Sequence, residues 1–193
     1  MIIFDFDGVL CDSLYWYEDV CRTLADTYGS DYDELLSWMI EHGNTSWIPG
    51  AWSDDLFVET LNDAFSIKAT IRDIERGCER SMKYDADMLR ILRSLGSATI
   101  FTDNPSVRVR VIERTLPVPS RITYSQALGV TKRHGFRAFI ERSGITKGVL
   151  IDDIELNIQA ARREGFEGVL WKIGDPIGIV TAAIAGSGAR ETR

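Results

Sequence analysis

The 193-residue chain holds few cysteines, no long apolar run and no excess of basic residues. Its three cysteines, Cys11, Cys21 and Cys78, are odd in number and form no CxxC pair. That excludes a disulfide framework and a paired-cysteine metal site, and it fits free thiols in a reducing cytosol. No apolar stretch approaches the ~20 residues a membrane helix needs; the most apolar late segment, Ile177 to Ala185, is too short. Met1-Ile2-Ile3-Phe4 runs straight into Asp5 and Asp7, where a secretory signal would carry basic residues and a longer apolar core. The chain is therefore expected to be cytoplasmic. Lysine and arginine number 22 against 29 aspartates and glutamates, a formal net charge of -7, so neither a nucleic-acid polymer nor an anionic membrane would be held by charge. Internal repeats and low-complexity tracts are also missing.

The remaining composition, 45% apolar and 26% charged, is that of a globular protein with one sizeable core. Ile2-Ile3-Phe4 reads as a short buried strand that opens into Asp5, Asp7 and Gly8. From Ser13 to Tyr84 the pattern is helical throughout. Ser13 is expected to cap a helix ending near Gly29, and Asp31 or Asp33 a second ending near Gly43. Residues 44–50 contain Pro49 and read as a loop. Ser53 is expected to cap a third helix through Phe65, and a fourth spans about Ala69 to Met82. Beyond Asp85, helices and strands alternate: helix 86–95, strand 98–102, a helix with Pro105 as its first residue, strand 121–124, helix 133–142, strand 149–151, helix 154–164 and strand 168–171. This alternation implies an α/β protein, a Rossmann-like three-layer fold with a parallel sheet between helices. Residues 1–12 and 85–186 would form that core, 13–84 an inserted helical cap, and 187–193 a disordered tail.

Open α/β sheets bind ligands at the carboxyl ends of their strands. Here the first strand ends in Asp5 and Asp7, the second in Thr102, Asp103 and Asn104, and the fourth in Asp152 and Asp153. Four converging carboxylates repel one another unless a hard divalent cation, Mg2+, draws them together. An ionised carboxylate can attack phosphorus directly. A second acid two residues on can protonate the leaving oxygen and then activate water. The Thr102 hydroxyl and nearby backbone N–H groups can hold phosphoryl oxygens. Lys132 and Arg133 are the candidates for the remaining cation, with Lys132 the better placed. Gly8, Asp103, Asn104 and Arg133 complete the expected substrate contacts.

With these residues in view, Phe4-Asp5-Phe6-Asp7-Gly8-Val9-Leu10 resembles motif I of the haloacid dehalogenase-like (HAD) superfamily. Ile100-Phe101-Thr102-Asp103-Asn104 is similar to motif II, Lys132 to the lysine of motif III, and Ile151-Asp152-Asp153, continued by Asn157 to Ala161, to motif IV. The family usually has proline after the motif III lysine, where this chain has Arg133. The resemblance implies Asp5 as nucleophile and metal ligand, and Asp7 as general acid/base and metal ligand through its backbone carbonyl. It implies Thr102 and Lys132 as phosphoryl-binding, and Asp152 and Asp153 as completing the metal site. It also implies that the second and fourth strands flank the first. Dehalogenating members lack an acid at the position of Asp7, so the expected activity is hydrolysis of a small phosphorylated metabolite. A phosphomutase and a non-catalytic binding module are the alternatives.

Outside these motifs, His42 and His134 read as surface residues, although His134 lies two residues from Lys132. Tyr15, Trp16, Tyr17, Trp38, Trp47 and Trp52 give the helical segment an aromatic character. They read either as its core or as a platform for a ring-bearing substrate, with Trp47 and Trp52 flanking the Pro-Gly loop.

Overall fold

The computed structural model describes residues 1–13, 15–42 and 52–187. The loop expected over 44–50, with Trp47, and residues 188–193 of the expected tail lie outside the described residues.

Five short strands form one sheet: β1 (Ile2–Phe4), β2 (Ala98–Thr102), β3 (Ser120–Tyr124), β4 (Val149–Asp152) and β5 (Glu167–Leu170). All pairings are parallel, and the order is β3-β2-β1-β4-β5. β1 is thus central, with β2 and β4 on either side. Alternating side chains of each strand feed two cores. Ile2, Phe4, Ile100, Val149 and Ile151 pack with Met88, Leu92 and Ile112 on one face. Ile3, Phe101 and Leu150 pack with Phe136, Phe139, Ile158 and Ala161 on the other. The first group of helices is α5 (Ala86–Leu95), α6 (Ser106–Thr115) and α10 (Gly178–Gly186); the second is α8 (Lys132–Ser143) and α9 (Glu155–Arg163). A phenylalanine or leucine buried this way is worth about 1.5–3 kcal/mol, so the two faces fix the register of the central strands.

Among the described residues between β1 and α5 lie four helices, α1 (Trp16–Tyr28), α2 (Tyr32–His42), α3 (Asp54–Phe65) and α4 (Ile71–Arg80). They share a core of their own, including Val20, Leu24, Leu35, Met39, Phe57, Leu61 and Ile74. α1 and α4 approach closely at Gly77, where any Cβ would collide with the Val20 backbone. The chain leaves and re-enters the sheet domain through two adjacent segments: Asp12 N–H donates to Lys83 O at 2.9 Å, and Asp85 N–H to Leu10 O at 3.0 Å. The bundle also rests on α6, where Arg110 and Arg114 pair with Glu75 of α4 at 2.9 and 3.0 Å.

Several helix ends match the sequence reading. Ser53 caps α3 by accepting from Leu56 N–H at 3.2 Å; Asp85, which the sequence reading did not name as a cap, caps α5 by accepting from Met88 N–H at 2.8 Å. Asp31 accepts from Glu34 N–H at 3.0 Å. Ser13 does not cap α1, which begins three residues later, because its hydroxyl is committed to Asp7. Pro105 is the residue before α6 rather than its first. A short helix, α7 (Ser125–Leu128), and α10 were not anticipated as helices. No described helix is long and apolar enough to cross a membrane.

Candidate active site

β1 ends at Phe4, but its ladder runs one residue further, since Asp5 N–H donates to Ile151 O at 2.8 Å. This sets the Asp5 side chain between β2 and β4, at the carboxyl edge of the sheet. Asp5, Thr102, Lys132 and Asp152 are all buried. Lys132 opens α8, and its Nζ reaches 2.6 Å from Asp5 Oδ1 and 2.7 Å from Asp152 Oδ2. The helix start that aims it is fixed by Asp103, whose Oδ1 accepts from Lys132 N–H at 2.6 Å. Asp152 is held in turn by Ile154 N–H at 2.9 Å and by the Asn157 amide at 3.0 Å. Asn157, in the continuation of the fourth motif, thus orients an acid.

Asp5, Asp152 and Asp153 each offer a carboxylate oxygen, all within 4.8 Å of one another. Burial pushes the Asp5 carboxyl well above its ordinary range; Lys132 opposes this, while Asp152 and Asp7 add to it. Burial and Asp152 likewise raise Asp153. Lys132 is raised because the attraction of Asp5 and Asp152 outweighs its own desolvation. With all three carboxylates ionised against one ammonium, a double negative charge would be left uncompensated, which is why burial without a cation favours the neutral forms of Asp5 and Asp153. Asp153 Oδ1 is buried with no hydrogen-bond partner among the described residues. An orphaned buried acceptor is costly, and both features fit a divalent cation with oxygen ligands such as Mg2+. Gly8 makes room for this arrangement. Its φ is 75°, and a Cβ there would overlap the carboxylate of Asp153.

Asp7 lies beyond the strand and turns away from this cluster. Its Oδ1 accepts from Ser13 Oγ at 2.7 Å and from Arg108 Nη2 at 2.6 Å. Its Oδ2 accepts from Arg108 Nη1 and from the Asn104 amide, both at 2.9 Å. Asn104 also donates to Thr102 Oγ1 at 2.8 Å. Motifs I and II are therefore joined through Asn104. Arg108, from α6, is fully buried, and the sequence reading missed it.

A cavity of about 170 Å³ opens over these groups, lined by Asp5, Asp7, Thr102, Asp103, Lys132 and Asp153 from the sheet domain and by Trp16 and Tyr17 from α1. Among the expected substrate contacts, Asp103 and Asn104 border it. Gly8 lies behind Asp153, and Arg133 is exposed and absent from its lining, so of the two candidate cations the geometry selects Lys132. His134 is exposed, with Nδ1 3.0 Å from Thr131 Oγ1. Trp38 and Trp52 pack with Phe57 and His42 in the bundle. Trp52 borders a separate hollow with Ser106 and Gln126, so neither lines the acidic cavity.

No family model matches the chain, and no curated protein matches it. Solved structures do. A protein described as a predicted HAD-like family hydrolase from Porphyromonas gingivalis superposes with a TM-score of 0.71 at 19% identity, over 95% of this chain and 96% of that one. A HAD family enzyme from Bacteroides thetaiotaomicron, in complex with magnesium and inorganic phosphate, gives 0.65 at 15% identity, over 91% and 95%. A 2-haloacid dehalogenase from Pseudomonas syringae gives 0.57 at 14% identity, over 91% and 89%. With its five-stranded parallel sheet, this chain has the haloacid dehalogenase-like α/β fold.

Proposed function

We propose that the chain is a magnesium-dependent phosphatase that hydrolyses a small phosphate monoester through an aspartyl-phosphate on Asp5. The observation that carries this reading is the buried set Asp5, Lys132, Asp152 and Asp153, with an orphaned carboxylate oxygen and a second acid, Asp7, bordering the same cavity. The HAD fold supports it, as does the magnesium- and phosphate-bound state of the B. thetaiotaomicron enzyme. Hydrolysis of a carbon–halogen bond, the other chemistry named among structures of this fold, is disfavoured by Asp7. A carboxylate nucleophile on a halide carbon needs no acid for its leaving group, whereas the loss of an alkoxide from phosphorus does.

Asp5, Asp152 and Asp153 would hold Mg2+, which when bound supplies positive charge to the phosphoryl oxygens and to the acidic cluster. An oxygen of ionised Asp5 attacks phosphorus, and the bond from phosphorus to the ester oxygen breaks. Asp7 delivers a proton to that oxygen and the alcohol leaves. Asp7 then takes a proton from water, whose oxygen attacks the same phosphorus. The bond to Asp5 breaks and inorganic phosphate departs. Lys132 and the Thr102 hydroxyl face the phosphoryl oxygens during both steps. The four inserted helices serve as a cap, bringing Trp16 and Tyr17 over the cavity and excluding bulk water. At about 170 Å³ the cavity has the share of only a few waters at roughly 30 Å³ each. It therefore suits a phosphoryl group with a short organic remainder, a small phosphorylated metabolite of the cytoplasm. The buried free thiols agree with a reducing compartment.

An aryl phosphate and a panel of phosphorylated metabolites, with and without Mg2+, test the reading. Expected is release of inorganic phosphate that requires the metal and is abolished in Asp5→Asn. Isomerised sugar phosphate without free phosphate would indicate a mutase instead. No turnover of any ester by the wild type would refute the proposal.

A further inference from the structure

The two aspartates of motif I have separate cations. Asp5 faces Lys132, whereas Asp7 faces Arg108, and each cation is nearly or fully buried. The Arg108 guanidinium grips both Asp7 oxygens, Nη2 to Oδ1 at 2.6 Å and Nη1 to Oδ2 at 2.9 Å. The guanidinium is itself fixed from several sides. Nη1 donates to Asn104 Oδ1 at 2.8 Å, and Nη2 donates to Ser13 Oγ at 2.6 Å and to the Ser13 carbonyl at 3.3 Å. Its plane is bracketed by aromatic rings, with Cζ 5.1 Å from the Trp16 centroid and 5.7 Å from that of Phe6. A buried ion pair is weak evidence for stability, because desolvation consumes most of its attraction. Such an arrangement specifies one orientation of one carboxylate.

We propose that Arg108 is the positioning residue for the general acid/base. On the phosphatase reading, from which this inference starts, Asp7 must present a carboxylate oxygen to the leaving group and keep that carboxylate, unlike its backbone carbonyl, off the metal. A carboxylate offers about four lone-pair directions. With Ser13, Asn104 and two Arg108 nitrogens as donors, all are assigned, so Asp7 stays out of the cluster formed by Asp5, Asp152 and Asp153. To act as an acid, Asp7 must exchange one of those donors for the proton it took from water in the preceding turnover, and it passes that proton to the ester oxygen. Arg108 keeps the carboxylate aligned while that exchange occurs. It lies outside the cavity lining and acts through Asp7.

The dependence on leaving group separates this role from a merely structural one. An aryl phosphate with a strongly acidic phenol departs unaided; an alkyl phosphate needs the proton from Asp7. First-turnover release of the alcohol, measured with Mg2+ in wild type, Arg108→Lys, Asp7→Asn and the double variant, reads that step. Lysine keeps the charge but not the two-pronged grip. Expected is a loss of 10-fold or more, roughly, on the alkyl phosphate in Arg108→Lys, against about 3-fold or less on the activated aryl phosphate. KM should be little changed, and the double variant should lose no more than Asp7→Asn alone. Ser13→Ala, a milder change that keeps the ion pair, should show the same selectivity at smaller size and serves if Arg108→Lys fails to fold. Equal losses on both esters in every folded variant, or losses that add to those of Asp7→Asn, would overturn the proposal. Failure of the wild type to turn over either ester would instead refute the phosphatase reading.

Discussion

Lys132 Nζ lies 2.6 Å from Asp5 Oδ1, with both side chains almost sealed from solvent. The lysine also meets Asp152 at 2.7 Å, so one cation serves two buried anions. Removing it leaves both without a counter-charge. Lys132→Met should therefore lower unfolding stability by about 3–5 kcal/mol, the usual cost of deleting one partner of a buried pair. Mg2+ should restore part of that loss, and phosphatase activity should fall below detection. Urea denaturation with and without the metal checks this; an unchanged midpoint would contradict the role assigned to the ion pair.

Stability should depend on pH and metal together. Asp5 and Asp153 titrate above their ordinary value of 3.8 because burial disfavours the anion. A carboxyl whose pKa is raised by folding stabilises the fold fully below its unfolded pKa, and that contribution is lost as pH rises through the folded value. Mg2+ binds the ionised forms, so its effect runs the other way. The melting temperature gained on adding Mg2+ should be larger near about pH 8 than near about pH 5. Thermal melts at the two pH values measure it, and a metal effect that shrinks on raising the pH would argue against carboxylate ligation.

Gly8 combines a φ of 75° with a close approach to Asp153. Alanine there must hold a left-handed backbone, costing about 1–2 kcal/mol, and must displace the Asp153 carboxylate. Gly8→Ala should lower stability by that order and weaken the Mg2+ response more than a comparable loss elsewhere. A metal titration followed by melting temperature compares it with Gly77→Ala, where the clash is with the Val20 backbone, far in sequence from the acids.

Cysteine reactivity tests the packing of the inserted helices. Cys21 and Cys78 are buried, and burial pushes both thiols up to about 12; Cys11 is raised for the same reason. The reactive thiolate is therefore scarce near neutral pH. The native protein should resist an alkylating reagent, and all three thiols should react after denaturation. Mass analysis of the labelled chain counts them, and rapid labelling of Cys21 or Cys78 in the folded protein would show that this core opens.

Most of the sheet was legible because strand ends and acids coincide. Ala98 to Thr102 and Ala86 to Leu95 have the bounds read from the alternation of helices and strands. Lys132 was preferred over Arg133 from its place in the motif order, and the helix start gives the physical reason. Lys132, the first residue of α8, is buried with its N–H on Asp103, whereas Arg133 is exposed. Arg108 was missed because it belongs to a run of arginines, with Arg110 and Arg114, that resembles a solvated face. A signal was present: Arg108 stands three and four residues before the buried Val111 and Ile112, on the inner side of α6, whereas Arg110 and Arg114 turn out toward Glu75 and Glu79. Ser13 misled for a related reason. A serine before a helix reads as a cap unless a tertiary partner claims its hydroxyl, and no local rule places Asp7 there.

The central claim is that phosphorus becomes bonded to Asp5. Rapid quenching of wild-type turnover with Mg2+, followed by borohydride reduction and peptide mass analysis, locates the acyl phosphate directly. The account predicts modification at Asp5 alone, and its loss in Asp5→Asn together with phosphate release. Phosphate released at the wild-type rate by Asp5→Asn, or label trapped on another residue, would contradict it.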